Sequence, residues 1–120
     1  MRMTEVEHIR VVVITDNYYD ALRPDPPYGA RYRTAPGFSI HAEYGLSYYV
    51  ETTVDGVSTG FMFDFGLDGK GVLNNMALLK IDFERIAAFG LSHGHFDHWG
   101  GLLDHQTEGP TGVRNPSTCL

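Results

Sequence analysis

A chain of 120 residues has room for one domain, and 42% hydrophobic with 20% charged residues is a folded globular composition, not that of a disordered segment. Fifteen acidic against nine basic residues give a net charge of −6, which argues against nucleic acid or an anionic membrane surface as the partner, since both want a basic face. No run approaches the ~20 apolar residues of a membrane-spanning helix, the first eight residues carry no apolar leader segment, and the single cysteine, Cys119, allows no disulfide within the chain, so a cytoplasmic protein is expected.

Ile9 to Ile14 is short and β-branched, which predicts a strand. Residues 16–39 have no periodicity and contain Pro24, Pro26, Pro27 and Pro36, so they predict a long loop or insertion. Its tyrosines, with Arg23, Arg31 and Arg33, suit either a flap over an anionic or ring-bearing substrate or an ordinary surface loop packed by its own side chains. Gly45 to Val54 alternates, with Leu46, Tyr48 and Val50 on one face and Ser47, Tyr49 and Glu51 on the other. Asp55-Gly56 is a tight-turn dipeptide, and Val57 to Phe65 supplies the return strand. From Gly71 to Ile81 the period changes to that of a helix, with Val72, Leu73, Met76 and Leu79 on one face. Asp82 is placed to cap a short turn, Ile86 to Leu91 reads as another strand, and Leu102-Leu103 suggests a helix after a Gly-rich loop. The hairpin predicts an α/β fold with a mixed or antiparallel-rich sheet instead of a parallel one.

Four of the six histidines lie between His93 and His105. The informative segment is Ser92-His93-Gly94-His95-Phe96-Asp97-His98-Trp99-Gly100-Gly101. Side chains at i and i+2 of an extended segment project from the same side, so His93 and His95 can converge on one ion. Asp97 and His98 follow as the chain turns into a helix and can face the same cleft from another angle. Gly94 and the Gly100-Gly101 pair let the backbone turn sharply. Imidazole and carboxylate together suit zinc, with iron or manganese as alternatives.

His93-x-His95-x-Asp97-His98 resembles the metal motif of the metallo-β-lactamase fold superfamily. Asp16-Asn17, Gly45-Leu46-Ser47, Phe63-Asp64-Phe65-Gly66, Asn74-Asn75 and Leu91-Ser92-His93 recur in similar order in one branch. That branch includes the 7,8-dihydropterin-6-methyl-4-(β-D-ribofuranosyl)aminobenzene-5′-phosphate synthases. The resemblance implies the N-terminal half of an αβ/βα sandwich, with His93 and His95 on one metal ion and Asp97 and His98 on a second. It implies that Asp64 orients a ligand from behind and that Asp97 also positions the nucleophile. Two positions depart from the branch: Phe65 stands where it usually has Thr, and Tyr44 where it often has His.

The activity so implied is metal-dependent hydrolysis or transfer on a small phosphorylated or ester substrate, pterin or ribosyl-phosphate related. In the family further ligands come from the second half of the sandwich, and none can be assigned in this chain. Residues 1–107 are therefore expected to form a truncated domain of this type, and 108–120 a disordered tail. A homodimer or a complementing C-terminal half is expected to cover the open sheet face. The alternative is a non-catalytic metal-binding remnant or one subunit of a split enzyme. His105 and Asp104 are the spare donors nearest the motif.

Overall fold

A computed structural model describes residues 4–102. The elements in chain order are β1 (His8–Thr15), β2 (Ser47–Val54), β3 (Val57–Phe63), α1 (Gly69–Leu78), a 3-10 turn (Phe83–Arg85), β4 (Ile86–Gly90) and α2 (Phe96–Trp99). The strands form one mixed sheet in the order β1-β2-β3-β4. The first two pairings are antiparallel and the last is parallel. The fold is thus α/β with a hairpin and a mixed sheet, as the sequence predicts. Among the described residues there is one sheet, with α1 against one face and no second sheet facing the other, and no helix is long and apolar enough to cross a membrane. Asp104, His105, Cys119 and the expected tail lie outside the described residues.

The β2–β3 connection is the predicted two-residue turn. Asp55 and Gly56 both have positive φ, 50° and 74°, the conformation whose twist matches the flanking strands. Glu7 accepts the N–H groups of Asp55 (3.1 Å) and Gly56 (3.4 Å). α1 starts two residues before the expected Gly71 because Asp68 caps it, accepting from Lys70 N–H at 3.1 Å. The helix stops at Leu78. Lys80 then takes φ +57°, and Lys80 and Ile81 donate back to Ala77 O (3.2 Å) and Met76 O (2.9 Å). Glycine is the usual residue at such a left-handed stop. Lys80→Gly is therefore expected to raise stability by about 0.5–1 kcal/mol, the left-handed cost less the extra chain entropy of glycine, read by urea denaturation.

The core lies between α1 and one sheet face. It comprises Ile14, Tyr49, Met62, Phe65, Val72, Met76 and Ile81. In β2 the buried side chains are Ser47 and Tyr49, whereas Tyr48 and Val50 lie on the other face. That second face is the more apolar one. Its rows run Val13–Tyr48–Phe63 and Val11–Val50–Phe61 across β1, β2 and β3. Ile9, Val11, Val13 and Phe63 are exposed there. Apolarity alone does not identify the helix side because both faces carry apolar residues.

The loop after β1 is long, as predicted, and continues to Leu46. Its arginines satisfy the loop's own backbone. Arg33 donates to Ala21 O (3.0 Å) and Arg23 O (2.8 Å) and pairs with Asp25 (2.6 Å), and Arg31 donates to Pro24 O (3.2 Å). An irregular segment has no ladder partners for its carbonyls, and these side chains replace them. Arg31 and Arg33 are thus engaged in holding the loop, which favours the self-packed reading over a cationic flap.

The end of the loop is clamped to the helix by Asn75, which is fully buried. Its amide donates to Ile14 O (2.9 Å) and His41 O (2.8 Å), and its oxygen accepts His41 N–H (2.8 Å). Asn74 adds a bond to Ser39 O at 3.0 Å.

Candidate functional site

β3 and β4 run parallel and end at the same edge, with Phe63 beside Gly90. Both connections leave from there. β3 stops where Asp64 takes φ +57°, and Asp64 N–H donates to Gly90 O at 3.0 Å. β4 leads through Ser92 and His93 into α2, a turn that begins at Phe96 within the segment read as a Gly-rich loop, and Leu102, where the sequence suggests a helix, is again helical. α2 is one turn long and is held by backbone bonds to neighbouring segments. Phe65 N–H donates to His98 O (2.7 Å), Leu46 N–H to Asp97 O (3.4 Å) and Gly101 N–H to Gly66 O (3.2 Å).

These approaches require glycine. A Cβ on Gly45 would lie 2.5 Å from Asp97 O, and one on Gly101 would collide with Phe65 O. Gly101→Ala is expected to cost about 2 kcal/mol or more, because the obstructing atom is backbone and α2 must move away. Thermal denaturation checks the cost, and the His98 imidazole resonances check the displacement.

Asp64 is the hub of the side chains. It is buried, and it accepts from Ser92 N–H (2.7 Å), Ser92 Oγ (2.7 Å) and His98 Nδ1 (2.7 Å). Burial pushes its carboxyl up, but the bonds from Ser92 and His98 outweigh burial and hold it below the usual aspartate range. These contacts also set the imidazoles. With Nδ1 against the Asp64 carboxylate, His98 carries its proton on Nδ1 and keeps the Nε2 lone pair. Ser92 Oγ, which donates to Asp64, accepts from His93 Nδ1 at 2.9 Å. His93 therefore also presents a bare Nε2, which lies 2.9 Å from His95 Nδ1.

The structure brings His93, His95 and His98 into ring contact, with centroids 4.5 Å apart for His93–His95 and 4.1 Å for His93–His98. Asp97 approaches through His98, its carboxylate 3.6 Å from Nε2. The donor types fit zinc. His93 Nε2 and His95 Nδ1 are a hydrogen-bonded pair at 2.9 Å, which an ion would have to replace. The number of donors does not close a site: among the described residues no group of three His, Cys, Asp or Glu side chains is arranged to hold an ion.

Ser92 was singled out by no spacing argument. It stands one residue before the motif and links Asp64 to two imidazoles. Glu43 is a second such residue. Its carboxylate accepts Leu67 N–H (3.0 Å) and Asp68 N–H (3.3 Å) and so fixes the turn against which the Gly100-Gly101 pair packs. Burial raises its carboxyl above the ordinary range.

A cleft of about 350 Å³ opens beside Asp97 and His98, walled by Asp16, Asn17, Tyr44 and Tyr48. A larger cavity, about 740 Å³, lies along β1 under the long loop and includes no side chain of the histidine motif.

No family profile matches the chain. It is 32% identical over 103 residues to the 7,8-dihydropterin-6-methyl-4-(beta-D-ribofuranosyl)-aminobenzene-5'-phosphate synthase of Methanocaldococcus jannaschii. The chain is a distant homologue of part of that protein. The aligned stretch covers 86% of this chain and 30% of the synthase.

Proposed function

We propose that this chain carries one side of the metal-binding edge of a metallo-β-lactamase-type enzyme. The reaction is metal-dependent hydrolysis or transfer on a small phosphorylated or ester substrate of the pterin or ribosyl-phosphate kind. The observation that carries this reading is the convergence of three imidazoles and two carboxylates where β3 and β4 end. The similarity to the methanogen synthase supports the pterin-related substrate.

In this reading His93 and His95 hold one ion and Asp97 and His98 a second, with zinc first and iron or manganese as alternatives. A divalent ion supplies Lewis acidity for negative charge developing on a substrate oxygen. Asp64 and Ser92 keep the Nε2 lone pairs of His98 and His93 available. The Asp97 carboxylate receives a proton from water or substrate. With two protein ligands per ion among the described residues, the remaining donors come from outside them, as from a complementing C-terminal half or a second copy. The same component covers the exposed face bearing Ile9, Val11, Val13 and Phe63.

NMR titration of the full chain with zinc tests the site. The imidazole signals of His93, His95 and His98 are expected to shift while those of His8 and His41 stay. No shift, or an equal shift of all of them, would refute the assignment.

A further inference from the structure

We infer that the cleft beside Asp97 and His98 is the subsite for the ring end of the substrate. It takes a flat, amino-substituted heteroaromatic ring and excludes phosphate. This deepens the proposed function and rests on it. Its walls come from three places in the chain: Asp16 and Asn17 after β1, Tyr44 at the end of the loop, and Tyr48 in β2. The fourth side is Asp97 and His98 of α2.

Three observations define the ligand. The first is charge: the cleft is lined by two carboxylates and by no lysine or arginine. In the metal-free chain a phosphate group placed there would meet repulsion with no cation to offset it. The second is the polar inventory. Asp16 Oδ1 accepts Asn17 N–H at 2.7 Å. Among the described residues, Asp16 Oδ2, the Asn17 amide and the Tyr44 and Tyr48 hydroxyls have no hydrogen-bond partner. A carboxylate is satisfied by two adjacent N–H donors, and the pair is charge-assisted. An exocyclic amino group next to a ring N–H supplies that pair, while the Asn17 amide can both donate and accept. The third is shape. The volume, about 350 Å³, is at the small end for a ligand site, and two tyrosine rings on its walls suit a planar ligand. A ring held this way directs its substituents toward Asp97 and His98.

The test uses the full chain in the presence of a chelator, with pterin as probe and its fluorescence as readout. Saturable binding is expected. Asp16→Asn should weaken it by about 10–100-fold, since one acceptor becomes a donor facing a donor, and Tyr44→Ala by about 10-fold. Lumazine, which lacks the amino group, should bind at least ~10-fold more weakly than pterin. Inorganic phosphate should not displace pterin. Tyr44 is exposed, so its variant keeps the test valid if Asp16→Asn fails to fold. Absence of saturable binding, equal binding by both variants, equal affinity for lumazine, or displacement by phosphate would each overturn the assignment. The metal reading fails separately: it predicts that His93→Ala loses metal and keeps pterin, whereas Asp16→Asn keeps metal and loses pterin.

Discussion

Asn75→Ala is expected to lower the unfolding free energy by about 3 kcal/mol. The side chain is fully engaged by Ile14 O, His41 O, His41 N–H and the Asn74 amide, and Ile14 is itself buried in the core. Each buried polar group left without a partner costs ~1–3 kcal/mol. Partial relaxation of the loop toward water keeps the total well below the sum. Asn74→Ala, which removes an exposed bond to Ser39 O (3.0 Å) and a longer one to Asn75 Oδ1 (3.2 Å), should cost about 1 kcal/mol. Urea denaturation of the two variants separates them, and a cost for Asn75→Ala within ~0.5 kcal/mol of that for Asn74→Ala would contradict the clamp.

The difference between these neighbours marks where sequence reading stops. Val72 and Met76 are legible from their helical spacing, and both are in the core. Asn75 lies on the same helix face, but its partners are 34 and 61 residues away in the chain. No local period encodes a bond of that range. The hairpin was legible because Asp55-Gly56 is a local requirement of backbone φ. The buried face of β2 was not, because Leu46, Tyr48 and Val50 look more like core than Ser47 and Tyr49 do. The meeting of His93, His95 and His98 could be expected from spacing and from resemblance. The place of Asp64 behind the imidazoles was expected from resemblance, whereas the role of Ser92 in linking it to His93 and His98 needed the parallel pairing of β3 with β4, which brings residue 64 to residue 92.

Asp64→Asn is expected to produce the larger functional loss. Asparagine tolerates the positive φ at this position, so the substitution mainly removes charge and one acceptor. The His98 Nδ1–H then faces either an uncharged oxygen or an amide donor. The imidazole loses the restraint that keeps its proton off Nε2, and metal affinity should fall by about 10–100-fold. The loss of charge-assisted bonds from Ser92 and His98 should cost about 2 kcal/mol at neutral pH. The sign of the pH dependence follows from the lowered Asp64 carboxyl. Its stabilisation is fully present above the unfolded aspartate value of about 3.9 and is lost as pH falls through the lower folded value. Acid titration of stability should therefore be flatter in Asp64→Asn than in the parent below about pH 4. Parallel acid limbs would mean that Asp64 is not held as an ionised acceptor.

We propose that the histidine motif at the end of β4 binds metal through ligands of this chain. Metal analysis of the purified 120-residue chain beside its His93→Ala variant, after equilibration with zinc, iron(II) and manganese(II), decides this. Bound metal is expected in the parent, highest with zinc, with a loss of at least ~10-fold in affinity in the variant. Equal metal content in the two proteins, or none in the parent at any accessible concentration, would contradict it.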